Sequence, residues 1–172
     1  MEFIQTIKDS VPDWAKDIRL NLDGVIARST LPAEDAVGAA LAAAFASRSP
    51  FLIEAFKKGL SETDANAALT AAALMGMNNV WYPYVEMAED AQLKSLPAQL
   101  RMNAYSTSGG VDKKRFELFA LSASIVGKCH FCVQSHYALL KKEGYTVEQL
   151  RDVGRIAAVV NAAALVLTAQ GK

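Results

Sequence analysis

The apolar residues of this chain fall in Ala-rich runs with no alternation, and that pattern limits the fold more than any other feature. AVGAALAAAFA (36–46) and AALTAAALMGM (67–77) are dominated by Ala, with Leu and Met the commonest larger side chains and Val37 and Thr70 the only β-branched ones. A half-buried strand needs apolar residues at every second position, and no run of four to eight β-branched residues alternates strictly. Ala, Leu and Met lose little rotamer freedom in a helix, so the local preference agrees with the pattern. The chain reads as all-α.

Helix boundaries are legible. Pro12 and Pro32 stand where a first helical turn begins, since proline lacks the amide hydrogen that such a position leaves unpaired. Ser61 with Asp64, Asp112, and Thr146 with Gln149 read as N-caps or capping boxes, and Gly59, Gly127 and Gly144 as stops. These signals place helices near 2–9, 12–26, 32–46, 50–59, 62–76, 79–90, 112–126, 129–143 and 147–169. Residues 91–111 form the one long stretch without clear period and read as a linker. A shift of 82 residues lays IRLNL (18–22) on LRMNA (100–104), Asp35 on Glu117, and the Ala-rich helix at 32–46 on the one at 114–128. Two readings stay open: Ala-rich composition echoing itself, or a single domain of two copied halves, about 1–95 and 96–172.

Composition excludes several function classes. Eighteen basic and 18 acidic residues give no electrostatic footprint for nucleic acid or an anionic membrane. The uninterrupted apolar runs are shorter than the roughly 18 to 20 residues of a membrane span. The start MEFIQTIKDSVPDW lacks a basic segment followed by a continuous apolar one, so it does not read as a signal peptide. The expected setting is a reducing cytoplasm, where a cysteine pair is more often catalytic or metal-binding than a permanent bridge.

Both cysteines and both histidines of the chain lie in CHFCVQSH, residues 129–136. Cys129, Cys132 and His136 follow one helical face. A thiol in a first helical turn meets unpaired amide hydrogens and the positive dipole end, which favour its thiolate, and Lys128 adds a cation. The second thiol is close enough to resolve the first into a disulfide. Zinc is a rival, with Cys129, Cys132 and His136 plus His130 or Glu117, but structural sites draw ligand pairs from separate segments and no second pair exists. Covalent haem attachment needs a histidine after the second cysteine, where Val133 stands. A thioredoxin motif would follow a strand, and RFELFALSASIVGK reads as helix. Two inert core thiols remain an alternative.

Glu117 lies beside the apolar stripe of its helix and taken alone is a solvated flank carboxylate. It stands ten residues before Gly127, and His136 stands nine after it. An antiparallel helix hairpin turning at that glycine brings the two level, so that carboxylate, imidazole and thiol can form a proton relay.

Glu117, Cys129, Cys132 and His136, spaced E-x11-C-x2-C-x3-H, resemble the alkyl hydroperoxide reductase D (AhpD) family, kin to the carboxymuconolactone decarboxylase proteins. WAKDIRLNL, AAALMGMNNVWY and LRMNAYS…FELFALSAS extend the resemblance over nearly the full chain. It implies an all-α fold of two similar helical halves, assembled as a homotrimer or a multiple of one, with the site in the second half only. It also implies a CxxC cycling between dithiol and disulfide, weak peroxidase activity toward alkyl hydroperoxides, and electron transfer from a lipoyl-bearing protein to a peroxiredoxin. Carried onto this chain, Cys132 is the more buried, peroxide-reactive thiol, Cys129 the more accessible one exchanging with outside dithiols, and Glu117 and His136 the relay that activates Cys132. The chain departs from the family at Phe131, where well-known members carry histidine. His130 is one place earlier, turned by about 100° on a helix, and reads as an exposed polar residue or an accessory to the thiolate. Phe131 is expected to act as an apolar lid.

The expected function is therefore a thiol-disulfide oxidoreductase and alkyl hydroperoxidase needing no flavin, haem or metal, and no Gly-rich dinucleotide fingerprint is present. The alternative is a non-catalytic oligomeric helical module whose thiols are redox sensors or inert core. Decarboxylation, the chemistry of the sister branch, has no need of a CxxC.

Overall fold

The structure is a computed structural model and describes residues 2–172. The described residues form helices and turns, with no strand among them, so the chain is all-α. Helix α1 spans Glu2–Ser10 and α2 spans Lys16–Leu22, the latter extended by a wide turn over Asp23–Ala27. Next come α3 (Ala33–Ala46), α4 (Pro50–Lys57) and α5 (Glu62–Ala88). Two short pieces, α6 (Ala91–Ser95) and α7 (Asn103–Ser106), interrupt an otherwise irregular connection. The chain ends with α8 (Lys113–Gly127), α9 (His130–Lys142) and α10 (Val147–Ala169).

Helices α3 and α8 form the centre, packed on each other and flanked by α5 and α10. Both are buried almost all round: Ala36, Ala39, Ala40 and Ala42–Ala44 on α3 are fully enclosed, as are Phe116, Leu118, Phe119 and Ala120 on α8. Small side chains let the two backbones approach, and Gly38 marks the closest point. A Cβ there would lie 2.3 Å from the Phe119 ring, nearer than packed atoms can sit. Burying Phe119 there is worth several kcal/mol, on the order of 3 to 5 by the usual cost of truncating a core phenylalanine.

Several boundaries differ from the sequence expectation: the single helix expected at 12–26 is a short turn over Asp13–Ala15 capped by Pro12, then α2, then the wide turn to Ala27. The helices expected at 62–76 and 79–90 are one helix, α5, because Gly76 is tolerated mid-helix and Pro83 costs one backbone bond without stopping the chain. Pro32 is the N-cap of α3 rather than its first helical residue. Gly127 closes α8, but the left-handed residue is Lys128, at φ 55° and ψ 32°. Glycine is required at 127 for space: a Cβ would meet the Asn79 amide at 2.1 Å, and that amide bonds the Ala123 carbonyl at 3.1 Å. The caps at Ser61, Asp112 and Thr146 form, the last as a capping box with Gln149, and Gly144 takes a positive φ of 95°.

Helix α10 is by length and composition long and apolar enough to cross a membrane, although the uninterrupted apolar runs of the chain are shorter. The uninterrupted runs understate it, because Arg151, Asp152 and Arg155 break only its first turns. Here it is a core element. Leu150, Val153, Ile156, Val160, Ala164 and Leu167 recur at helical spacing and are buried against α3 and α8. Asp152 ties its start to the Ser29–Thr30 loop, accepting from the Thr30 amide at 2.8 Å and hydroxyl at 2.9 Å. Arg115 crosslinks the centre, donating to Asp35 at 2.5 Å and Asp64 at 2.7 Å.

Candidate active site

The turn at Gly127–Lys128 places Cys129 as the N-cap of α9, where its sulfur accepts from the Cys132 amide at 3.3 Å. One helical turn brings Cys132 back over Cys129, and the two are disulfide-bonded with Cα atoms 5.3 Å apart. A second turn brings His136 onto the same face. Helix α8 packs on α9 and carries Glu117, and His136 Nδ1 lies 2.6 Å from Glu117 Oε2. The other carboxylate oxygen accepts from the Tyr105 hydroxyl, presented by α7. His136 Nε2 faces the Met75 thioether of α5 at 3.2 Å.

Glu117 is 1% exposed. Burial acts to raise its pKa, but the hydrogen bonds from His136 and Tyr105 and the nearby charges outweigh it, and the carboxyl is held below its ordinary value. Tyr105 moves the opposite way. Burial first, then its bond to ionised Glu117 and that charge, push the phenol well above the usual tyrosine range. The chain thus encloses an ionised carboxylate with two donors on it, which a hydrophobic interior tolerates only when both oxygens are satisfied.

A cavity of about 380 Å³ lies beside this carboxylate, reaching both of its donors, Tyr105 and His136. Tyr82, Met102, Tyr105 and Phe131 give it aromatic and apolar walls, and Cys132 and His136 line it as well. Cys129 does not. The expected greater exposure of Cys129 is not seen: both cysteines are buried, Cys129 at 0% and Cys132 at 2%, and only Cys132 lines the cavity. The cause is the cap, which turns the Cys129 side chain inward beneath α5, 3.8 Å from the Asn78 carbonyl oxygen.

The remaining expected residues lie apart. His130 is exposed and pairs with Glu86 at 3.2 Å, outside the cavity that holds Cys132. Lys128 is exposed in its left-handed turn. Phe131, 53% exposed, stacks on Tyr82 with ring centres 4.3 Å apart and so forms part of the cavity wall. Among the described residues no group of three or more His, Cys, Asp or Glu is arranged to hold a metal ion. Sequence reasoning missed Tyr105 and Met75. Tyr105 sits in a stretch without period, and Met75 looks like any core residue of an Ala-rich helix, so neither carried a signal.

Comparison with known proteins identifies the family. The model of the carboxymuconolactone decarboxylase family matches residues 91–170, the half that carries the disulfide. An alkyl hydroperoxide reductase AhpD from Rhodospirillum centenum is 41% identical over 171 residues, covering 97% of this chain and 91% of the relative. The protein of the same name from Coxiella burnetii is 40% identical over 176 residues, covering 98% and 99%. That from Streptomyces coelicolor is 41% identical, covering 97% and 96%. The chain belongs to the AhpD family, in the carboxymuconolactone decarboxylase superfamily, and is by that membership an oxidoreductase.

Proposed function

We propose that this chain reduces alkyl hydroperoxides through the Cys129–Cys132 pair and is reset by an external dithiol. One observation carries the reading: of the two cysteines, Cys132 alone lines the cavity, together with His136. In the reduced state His136, oriented by Glu117, takes the Cys132 proton, and the thiolate attacks the outer peroxide oxygen. The O–O bond breaks, the alkoxide is protonated to the alcohol, and Cys132 becomes a sulfenic acid. Cys129 then attacks the Cys132 sulfur, hydroxide leaves as water, and the disulfide forms. An incoming dithiol resets it by attacking Cys132, the sulfur facing the cavity. Cys129 leaves as a thiolate, stabilised by the first-turn amides of α9, and the donor's second thiol releases Cys132. Exchange at Cys132 replaces the expected exchange at Cys129, which is sealed. Lys128 and His130 are left as electrostatic accessories at most.

The donor in this proposal is a lipoyl-bearing protein and the acceptor a peroxiredoxin or the hydroperoxide itself, in the reducing cytoplasm where a CxxC is kept in cycle. The apolar walls formed by Tyr82, Met102 and Phe131 suit a lipoyl arm and an alkyl group alike. Oxidised protein is expected to be reduced faster by a purified lipoyl domain than by thioredoxin or glutathione at equal concentration, read by thiol titration. Equal or slower reduction by the lipoyl domain rejects that donor. If no dithiol opens the bond, the non-catalytic module is the better reading.

The proposed architecture is two copied halves with the chemistry in the second. Its support is the order of helices: α3, α4 and α5 have 14, 8 and 27 residues, and α8, α9 and α10 have 15, 13 and 23. The proposed assembly is a homotrimer or a multiple of one. Val80, Tyr84 and Met87 form an exposed apolar row along one face of α5, the kind of surface a monomer rarely leaves open. Sedimentation at micromolar concentration is expected to show three chains or a multiple, and a monomer alone rejects it.

A further inference from the structure

Tyr105 reaches the buried carboxylate from outside the helical hairpin that builds the rest of the site. It belongs to α7, a single turn within the irregular 91–111 connection, and its hydroxyl donates to Glu117 Oε1, the oxygen His136 does not use. We infer that Tyr105 is a positioning residue of this site: it holds Glu117 ionised and turned toward His136, and through them sets the pH range over which Cys132 is activated. The inference rests on the role proposed above for Cys132.

The geometry requires such a donor. With Glu117 only 1% exposed, Oε1 would otherwise be a buried charged oxygen without a partner, among the most costly arrangements in a protein interior. The ring is fixed by the element it serves. Tyr105 packs edge-on against Phe116 with ring centres 5.6 Å apart, and Phe116 precedes Glu117 on α8, so one helix holds both the ring and the acceptor. The phenol stays protonated, because burial and the Glu117 charge both oppose its ionisation. It therefore acts as a permanent donor and does not compete with His136 as a base. The titratable and charged groups acting on Glu117 are His136 from α9, Tyr105 from α7 and Lys113 from its own helix. Helix α5 contributes the uncharged Met75, which contacts His136.

Tyr105→Phe removes the hydroxyl and keeps the ring against Phe116. Loss of a hydrogen bond to a buried carboxylate raises its pKa by about one pH unit or more. The acid limb of kcat/KM for tert-butyl hydroperoxide, with dithiothreitol as donor, is expected to move up by about that amount, and the lost orientation of the still-ionised carboxylate toward His136 to lower the neutral-pH value about tenfold. The Glu117 carboxyl, followed by carbon NMR, is expected to titrate higher by the same amount. In the Glu117→Gln background the second change is expected to add nothing, since Tyr105 acts through Glu117. An unmoved acid limb and carboxyl titration would overturn the inference, as would a further tenfold loss in the double variant, which would mark a packing role. If the unaltered protein neither turns over peroxide nor exchanges with dithiols, the proposed function falls alone. The carboxyl titration then still decides: a rise in Tyr105→Phe supports the positioning role, and no rise overturns it.

Discussion

Cys132→Ser is expected to reduce hydroperoxide turnover by at least about a thousandfold, to the background rate of the free dithiol donor. Serine keeps the size and the helix turn but has no thiolate to attack oxygen, and Cys129 cannot substitute. Its sulfur is fully enclosed, turned under α5 as the cap of α9, and takes no part in lining the cavity. Cys129→Ser separates the steps. Cys132 remains able to attack once, so one equivalent of alcohol is expected in a burst, followed by a stall at the sulfenic acid that a dimedone adduct on Cys132 would reveal. Full turnover by Cys132→Ser, or a burst from that variant and none from Cys129→Ser, would assign the attacking sulfur to Cys129. Circular dichroism controls for folding, and both variants are expected to keep the helical signal because neither serine changes core volume appreciably.

Glu117→Gln is expected to lower kcat/KM about a hundredfold while the fold survives. Gln keeps the shape but offers one acceptor and one amide donor in place of two anionic oxygens. The His136 Nδ1–H can still donate to the remaining oxygen, and the Tyr105 hydroxyl can turn to accept from the amide, so no buried group is orphaned. What is lost is the charge that orients the imidazole and stabilises it once protonated. The pH dependence of stability should change with it. The folded-state pKa of Glu117 is depressed, so its contribution is complete above the unfolded carboxylate value of about 4.3 and disappears as pH falls through the lower folded value. The unaltered protein is expected to lose stability steeply over that acid range, and the Gln variant to lose less, in denaturant titrations at stepped pH. Retained turnover in Glu117→Gln would leave the dipole of α9 and Lys128 as the thiol's only activation.

The hairpin was legible because both ends of it lie within twenty residues. Helix periodicity sets the level of Glu117 and His136 on either side of Gly127, and a single turn sets Cys129 against Cys132, so spacing alone brings these four together. Tyr105 and Met75 could not be read this way. They reach the site from α7 and α5, and their distances to Glu117 and His136 depend on how those helices lie across α8 and α9, which no local spacing encodes. The relative exposure of the two sulfurs also escaped sequence reading. CxxC spacing is symmetrical between its cysteines, and the asymmetry comes from the N-cap role of Cys129 and the helix packed above it.

By itself the sequence determined the helical class, most caps, the closeness of Cys129 to Cys132 and the carboxylate–imidazole pair, all of which depend on short-range geometry and side-chain chemistry. The tertiary structure decided three further things: that α5 runs through Pro83 as one helix, that Cys132 is the sulfur facing the cavity, and that Glu117 shares its charge with a tyrosine from the linker. The physical reason is common to all three. Each is settled by which distant surfaces are pressed together to bury the Ala-rich core, and such contacts follow from the packing of whole helices rather than from the residues beside them in the chain.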